Sequence, residues 1–150
     1  MPALIIFGRI LFAVLFIYVG ATKLFGIQAT ADAIAAKVVI PTVIAPYTAQ
    51  LETATGMQMP QILAIASGAF EIIAGLMIAL NLGVRFFSIL LIIYVGIGTY
   101  YFSDFWNQAP PDNAKLLVDA LKNLSLIGAL FVLAGYGRGP RIAEPAYGDV

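Results

Sequence analysis

Apolar runs long enough to cross a bilayer alternate with short polar connections along this 150-residue chain. A helix needs about 20 mostly apolar residues to cross a hydrocarbon core of about 30 Å. Four stretches meet this requirement, and they are residues 3–22, 61–80, 84–102 and 116–136. Backbone groups in lipid have to be satisfied internally, and the alternating strand pattern of a barrel is absent. The pattern predicts an all-α membrane protein, a four-transmembrane-helix bundle forming a single domain over residues 1–150.

The connections between these spans predict how the helices are arranged. Spans two and three are joined by NLGVR, residues 81–85, which is so short that the two helices have to be antiparallel neighbours. The long first connection, residues 25–60, carries the amphipathic segment TADAIAAKVVI followed by Pro41 and Pro46. This segment is too short to span, so we expect interfacial or re-entrant helices in this loop. An ordered loop without membrane contact is the alternative.

Composition excludes several classes of protein. Hydrophobic residues make up 61% of the chain and charged residues 11%, and the net charge is zero. No basic surface is therefore available for nucleic acid. The chain has neither His nor Cys, the residues that hold haem, iron–sulfur clusters and most zinc ions. We expect no metal site and no cofactor bound by this chain alone.

Charged residues inside the spans are the main candidates for a functional site. A charge that faces lipid costs about 2.5 to 3.5 kcal/mol on insertion scales, so opposite charges are expected to point inward and pair. We predict a buried polar cluster in which Glu71 lies between Arg9 and Lys122. Its members are Arg9, Glu71, Asp119, Lys122 and Asn123. Such a cluster is either a clamp that fixes helix register, or it forms a path for a proton, an ion or a small ligand or a contact to quinone.

The positive charges near the span ends predict an orientation. One side of the membrane would hold Arg85, Arg138 and Arg141, with Arg9 nearby, and the other would hold Lys23, Lys37 and Lys115. The first side has the small excess. Both chain termini are therefore expected in the cytoplasm.

Four segments in this order and spacing resemble the DoxX family of small four-helix membrane proteins, which includes a subunit of thiosulfate:quinone oxidoreductase. They are GRILFAVLFIYVGATKLF, FEIIAGLMIALNLGVRFFSILLI, FSDFW and LKNLSLIGALFVLAGYGRG. The resemblance implies a polar site at Arg9, Lys23, Glu71, Lys122 and Asn123. Relatives often carry a histidine shortly before FW, where this chain has residues 100–104, YYFSD. A role that needs imidazole there is not expected of this protein.

The resemblance also implies a role in a bacterial inner membrane. We expect an accessory subunit that anchors or stabilises a quinone-linked redox or respiratory complex, with quinone reached through a partner and no catalysis by this chain. The partner is a larger membrane protein complex or further copies of the chain. Candidate contacts to quinone or lipid are Lys23, Tyr100, Tyr101 and Trp106, although an interfacial aromatic belt also explains the three aromatic residues. A bundle that binds or transports a small molecule, ion or proton is the alternative function.

Overall fold

The computed structural model describes residues 2–136, and the regular structure in this range is entirely helical. The long helices are α1 (Pro2–Phe25), α2 (Ile27–Lys37), α3 (Ala45–Thr55), α4 (Met59–Ala79), α5 (Val84–Phe102) and α6 (Asp112–Tyr136). Four of them, α1, α4, α5 and α6, are long and apolar enough to cross a membrane. The predicted all-α membrane bundle is confirmed. Arg138 and Arg141, which entered the orientation argument, lie outside the described residues.

The helix boundaries follow local sequence signals. Helix α5 covers the predicted residues 84–102, whereas α6 begins one turn earlier than predicted, at Asp112. Pro111 directly precedes α6, and its ring prevents the helix from extending further toward the N-terminus of the chain. The long first connection forms two helices, α2 and α3, and α3 is terminated after Thr55 by Gly56, whose φ of 69° suits glycine.

The turn between α4 and α5 has the geometry that its sequence predicts. Asn81 and Gly83 have φ values of 63° and 58°, in the left-handed region that glycine and asparagine adopt most readily. The Leu82 amide donates to the carbonyl of Met77 at 2.8 Å, which satisfies one of the last carbonyls of α4. The chain therefore reverses within a few residues, and α4 and α5 are antiparallel neighbours.

The four spanning helices form an open arc. Helix α1 packs along α4, α4 along α5, and α5 along α6, while α1 and α6 do not pack along each other. One apolar core holds the arc together, and it includes Ala13, Phe16, Ala74, Ile78, Leu91, Val95 and Leu130. A second, smaller core joins α2 to α4 through Ala31, Ile34 and Ala64. Helix α2 therefore covers one end of the arc.

The backbones of α1 and α4 pack closely against each other at glycine residues. A Cβ atom added at Gly20 would lie 2.6 Å from the carbonyl oxygen of Gly68, and one added at Gly68 would lie 2.9 Å from that of Gly20. Two turns further along, a Cβ at Gly75 would lie 3.1 Å from the carbonyl oxygen of Ala13. Without a hydrophobic driving force in lipid, close backbone packing of this kind is what holds transmembrane helices together.

We expect Gly68→Ala to separate α1 from α4, because its methyl group has only backbone atoms and Leu24 to displace. Overpacking of this kind costs about 1–3 kcal/mol. The thermal unfolding midpoint in mild detergent should fall accordingly. Gly128→Ala is the matched control, since a Cβ there meets nothing within 4 Å. Equal midpoints for the two variants would contradict the glycine contact.

Candidate functional site

The open side of the arc contains a cavity of about 750 Å³. Its walls are mostly apolar and come from α1, α2, α4, α5 and α6. The polar side chains that line it are Lys23, Thr30, Ser67, Glu71, Tyr94, Thr99, Tyr101 and Asn123. Ligand sites in proteins commonly combine an apolar wall with a few polar groups that fix orientation. The size and lining fit a small amphipathic molecule.

The polar end of this cavity is a hydrogen-bonded triad of Lys23, Glu71 and Tyr94. The Lys23 ammonium donates to Glu71 Oε1 at 2.9 Å and to the Tyr94 hydroxyl oxygen at 2.7 Å. The Glu71 side chain is only 5% exposed, whereas that of Lys23 is 25% exposed. A buried carboxylate requires such a partner, because its desolvation is otherwise uncompensated. The triad therefore holds a charge pair of zero net charge inside the bundle.

The glycine contact explains how the triad is positioned. Gly20 and Gly68 lie one turn before Lys23 and Glu71 on their respective helices, on the faces where the two backbones meet. Helices that approach so closely leave little room between them, and the long lysine side chain crosses that space to the carboxylate. Tyr94 enters from α5, and its ring packs on that of Phe70 in α4 with the ring centres 5.2 Å apart.

One polar atom of the triad has no partner. Glu71 Oε2 is buried and accepts no hydrogen bond from any group in the described part of the chain. A buried acceptor without a donor costs more free energy than an ordinary hydrogen bond contributes. Lys23 makes two hydrogen bonds to side chains, although an ammonium group has three donors. The triad thus has an acceptor that needs a partner and a cation beside it.

The predicted contact between Arg9 and Glu71 is wrong. The Arg9 guanidinium instead donates to the side-chain oxygen of Asn81, in the turn between α4 and α5. Glu71 and Asn81 are ten positions apart in sequence, which corresponds to about 15 Å along a helix. Counting residues from the span ends gives the depth of each residue's backbone in the membrane, but it leaves out the length of the lysine side chain. Lys23, at the opposite end of α1 from Arg9, reaches the Glu71 carboxylate and pairs with it.

The predicted burial of Asp119 and Lys122 is also wrong. Lys122 donates to Asp119 at 3.1 Å within α6, and the two side chains are 69% and 56% exposed. Neither lines the cavity. Their i,i+3 spacing lets them pair without another helix, so they do not require Glu71. Asn123, one position further on, does line the cavity together with Glu71.

The candidate lipid or quinone contacts are divided between the cavity and the outer surface. Lys23 and Tyr101 line the cavity, whereas Tyr100 and Trp106 are 64% and 52% exposed. The rings of Tyr100 and Trp106 lie 5.8 Å apart, at the same end of the bundle. There, Lys37 of α2 pairs with Asp104 at 3.0 Å, which joins α2 to the connection after α5.

Sequence reasoning missed Tyr94. It is a hydroxyl-bearing residue in the middle of the apolar run LLIIYVGIG, and this isolated hydroxyl was the available signal. Buried tyrosine hydroxyls usually find a polar partner. Here that partner is Lys23.

The fold and the cavity define the class of protein as an integral membrane bundle of four spanning helices with a polar site inside the membrane. The DoxX family model matches residues 4–104, which is more than half of the chain, so the protein belongs to the DoxX family. The matched region contains Arg9, Lys23, Glu71 and Tyr94. The chain is 27% identical over 139 residues to the inner membrane protein YphA of Escherichia coli strain K12, covering 92% of this chain and 86% of that protein. No solved structure matches.

We expect Lys23→Met to destabilise the fold, because it leaves the buried Glu71 carboxylate without its cation. Breaking a buried pair in this way costs about 3–5 kcal/mol, whereas replacing both partners by apolar residues of similar size is often neutral. The double variant Lys23→Met, Glu71→Leu should therefore recover most of the loss in thermal unfolding midpoint. Asp119→Asn, in the exposed pair, should lower stability by less than about 1 kcal/mol. A double variant less stable than Lys23→Met would disprove this account of the triad.

Proposed function

We propose that this protein is an accessory inner-membrane subunit of a quinone-linked redox complex, and that its cavity receives the headgroup of the lipid-soluble carrier. The observation that carries the proposal is the apolar cavity ending at the buried Lys23–Glu71–Tyr94 triad. A benzoquinone-type headgroup needs apolar walls for its ring and tail and a few hydrogen-bonding groups for its oxygens. The cavity offers both, and it lies on the open side of the arc, between α1 and α6.

The redox chemistry is assigned to a partner protein. The sequence has no His or Cys, so the ligands of a haem or an iron–sulfur cluster would have to come from another chain. The contribution of this chain would be to bind and position the carrier close to that centre. The relative from Escherichia coli is named as an inner membrane protein, which supports the same location here.

The orientation belongs to this proposal as well. The predicted excess of positive charge puts both termini, and with them the turn between α4 and α5, in the cytoplasm. The connection between α5 and α6 would then face the other side of the membrane, together with α2, α3 and the Lys37–Asp104 pair.

A second function, binding or transport of a small molecule without a redox partner, is supported by the same cavity. A binding bundle requires only the cavity and its polar triad, both of which this chain supplies. The two functions differ in whether a larger protein accompanies the chain.

Extraction in mild detergent should co-purify a larger redox protein together with a bound quinone. We expect Gly98→Leu to lower quinone retention at least about tenfold, because Gly98 lines the cavity and a side chain there projects from an open position. Leucine also favours a helix more than glycine does, so α5 should be preserved. Quinone per mole of protein, measured by extraction and chromatography, reports the effect.

Gly96→Leu is the control for this experiment. Gly96 lies on the same helix with equal free space, but it does not line the cavity. Equal quinone loss in both variants would contradict binding in the cavity. A chain that purifies alone in every mild detergent, yet retains a small molecule in the cavity, would favour the second function.

The orientation is testable because the chain contains no cysteine. We expect Ala109→Cys, in the connection after α5, to react with a membrane-impermeant maleimide in intact spheroplasts. Leu82→Cys, in the turn between α4 and α5, should react only after lysis. Both positions are exposed, so a difference in labelling reports sidedness. The reversed labelling pattern would place the termini outside the cytoplasm.

A further inference from the structure

The partnerless oxygen of Glu71 points to the kind of headgroup that the cavity accepts. It is a buried acceptor in a residue that lines the cavity, and nothing in the described part of the chain donates to it. Its position beside Lys23 places an acceptor and a donor within one small site. A ligand that supplies only an acceptor leaves Glu71 Oε2 without a partner, and a ligand that supplies only a donor leaves the third Lys23 proton unused.

A hydroxyl group satisfies both requirements with a single atom. Its oxygen accepts from the Lys23 ammonium while its hydrogen is donated to the carboxylate. A ketone or quinone carbonyl accepts but does not donate, and a methyl ether has the same limitation. An ammonium headgroup donates only, and it would add a charge to a pair whose net charge is zero.

We propose that Glu71 makes this cavity selective for amphipathic molecules whose headgroup donates a hydroxyl proton, and that Glu71 Oε2 accepts that hydrogen bond. For a quinone-type carrier this is the reduced, hydroquinone form, so in that case the inference rests on the proposed function. In the structure Oε2 is closed to water. The terminal carboxylate torsion of glutamate is soft, so a partial turn about this bond, with the Lys23 ammonium following Oε1, would bring Oε2 toward the cavity without moving the helix.

The expected selectivity follows from the strength of the bond that the hydroxyl makes. Hydrogen bonds to charged groups are stronger than those between neutral groups, and a buried acceptor left unpaired carries a penalty of its own. We expect a phenol to bind at least about tenfold more tightly than its methyl ether. The ring and the alkyl tail are the same in both molecules and meet the same apolar wall, so the difference reports the headgroup.

The test uses two matched pairs of probes on the full chain in lipid nanodiscs, with affinities measured by calorimetry. The first pair is para-decylphenol and its methyl ether, in which a methyl group replaces the hydroxyl hydrogen and so removes the donor. The second pair is a decyl-substituted benzoquinone and its hydroquinone, kept reduced under anaerobic conditions. We expect the phenol and the hydroquinone to bind more tightly than their partners, and Glu71→Gln to remove this preference. Asp119→Asn, an equivalent change outside the cavity, should retain it.

The outcomes separate this inference from the proposed function. Equal binding of quinone and hydroquinone, with equal binding of phenol and ether, would overturn the selectivity while leaving a quinone site intact. Preferential binding of the phenol with no binding of either quinone form would support the selectivity and contradict the quinone-linked function. Tighter binding of the quinone or the ether would show that the carboxyl group donates, and it would overturn the inference. If Glu71→Gln fails to fold, the binding of the two probe pairs to the unmodified chain still tests the selectivity.

Discussion

The structure depends on how one carboxylate is accommodated within an apolar bundle. Glu71 is nearly fully buried in α4, and its charge is compensated by Lys23 from α1 at 2.9 Å. A pair of this kind contributes little net stability, because desolvation offsets most of the attraction between the charges. Its effect is on geometry, since α1 cannot slide along α4 without separating the charges. The ion pair therefore fixes the register of the two helices that form one wall of the cavity.

The glycine contact and the ion pair act together. Gly20 and Gly68 bring the two backbones close enough for a lysine at the end of α1 to turn inward and reach the carboxylate. Lysine near a helix end would ordinarily extend toward the membrane surface. Lys23 instead points into the bundle, because the Glu71 carboxylate lies within its reach and the Tyr94 hydroxyl provides a second acceptor oxygen. The contact between α1 and α4 thus depends on both the small glycine residues and the ion pair, and neither explains it alone.

Most of the fold was predictable from the sequence, whereas the site was predictable only in part. Hydrophobic length identified the four spanning helices, and the short NLGVR connection identified the antiparallel pair. Glu71 was correctly expected to face the interior, because a carboxylate facing lipid is costly. Its cation was misassigned, since residue counting gives backbone depth and not side-chain reach. Lys122 was expected to meet Glu71 on α4, with Asp119 buried beside it, yet the spacing within α6 already pairs Lys122 with Asp119.

The open side of the arc explains why Glu71 Oε2 is left without a hydrogen-bond partner in the described part of the chain. In a closed four-helix bundle an unsatisfied carboxylate oxygen would only lower the stability of the fold. Here α1 and α6 do not pack along each other, and the space between the helices is a cavity bounded by apolar residues. Sites that bind ligands keep polar groups whose partner arrives with the ligand, and they accept a less stable empty state as a consequence. Glu71 combines both roles, because one oxygen holds α1 in register through Lys23 and the other is left for a molecule that enters the cavity.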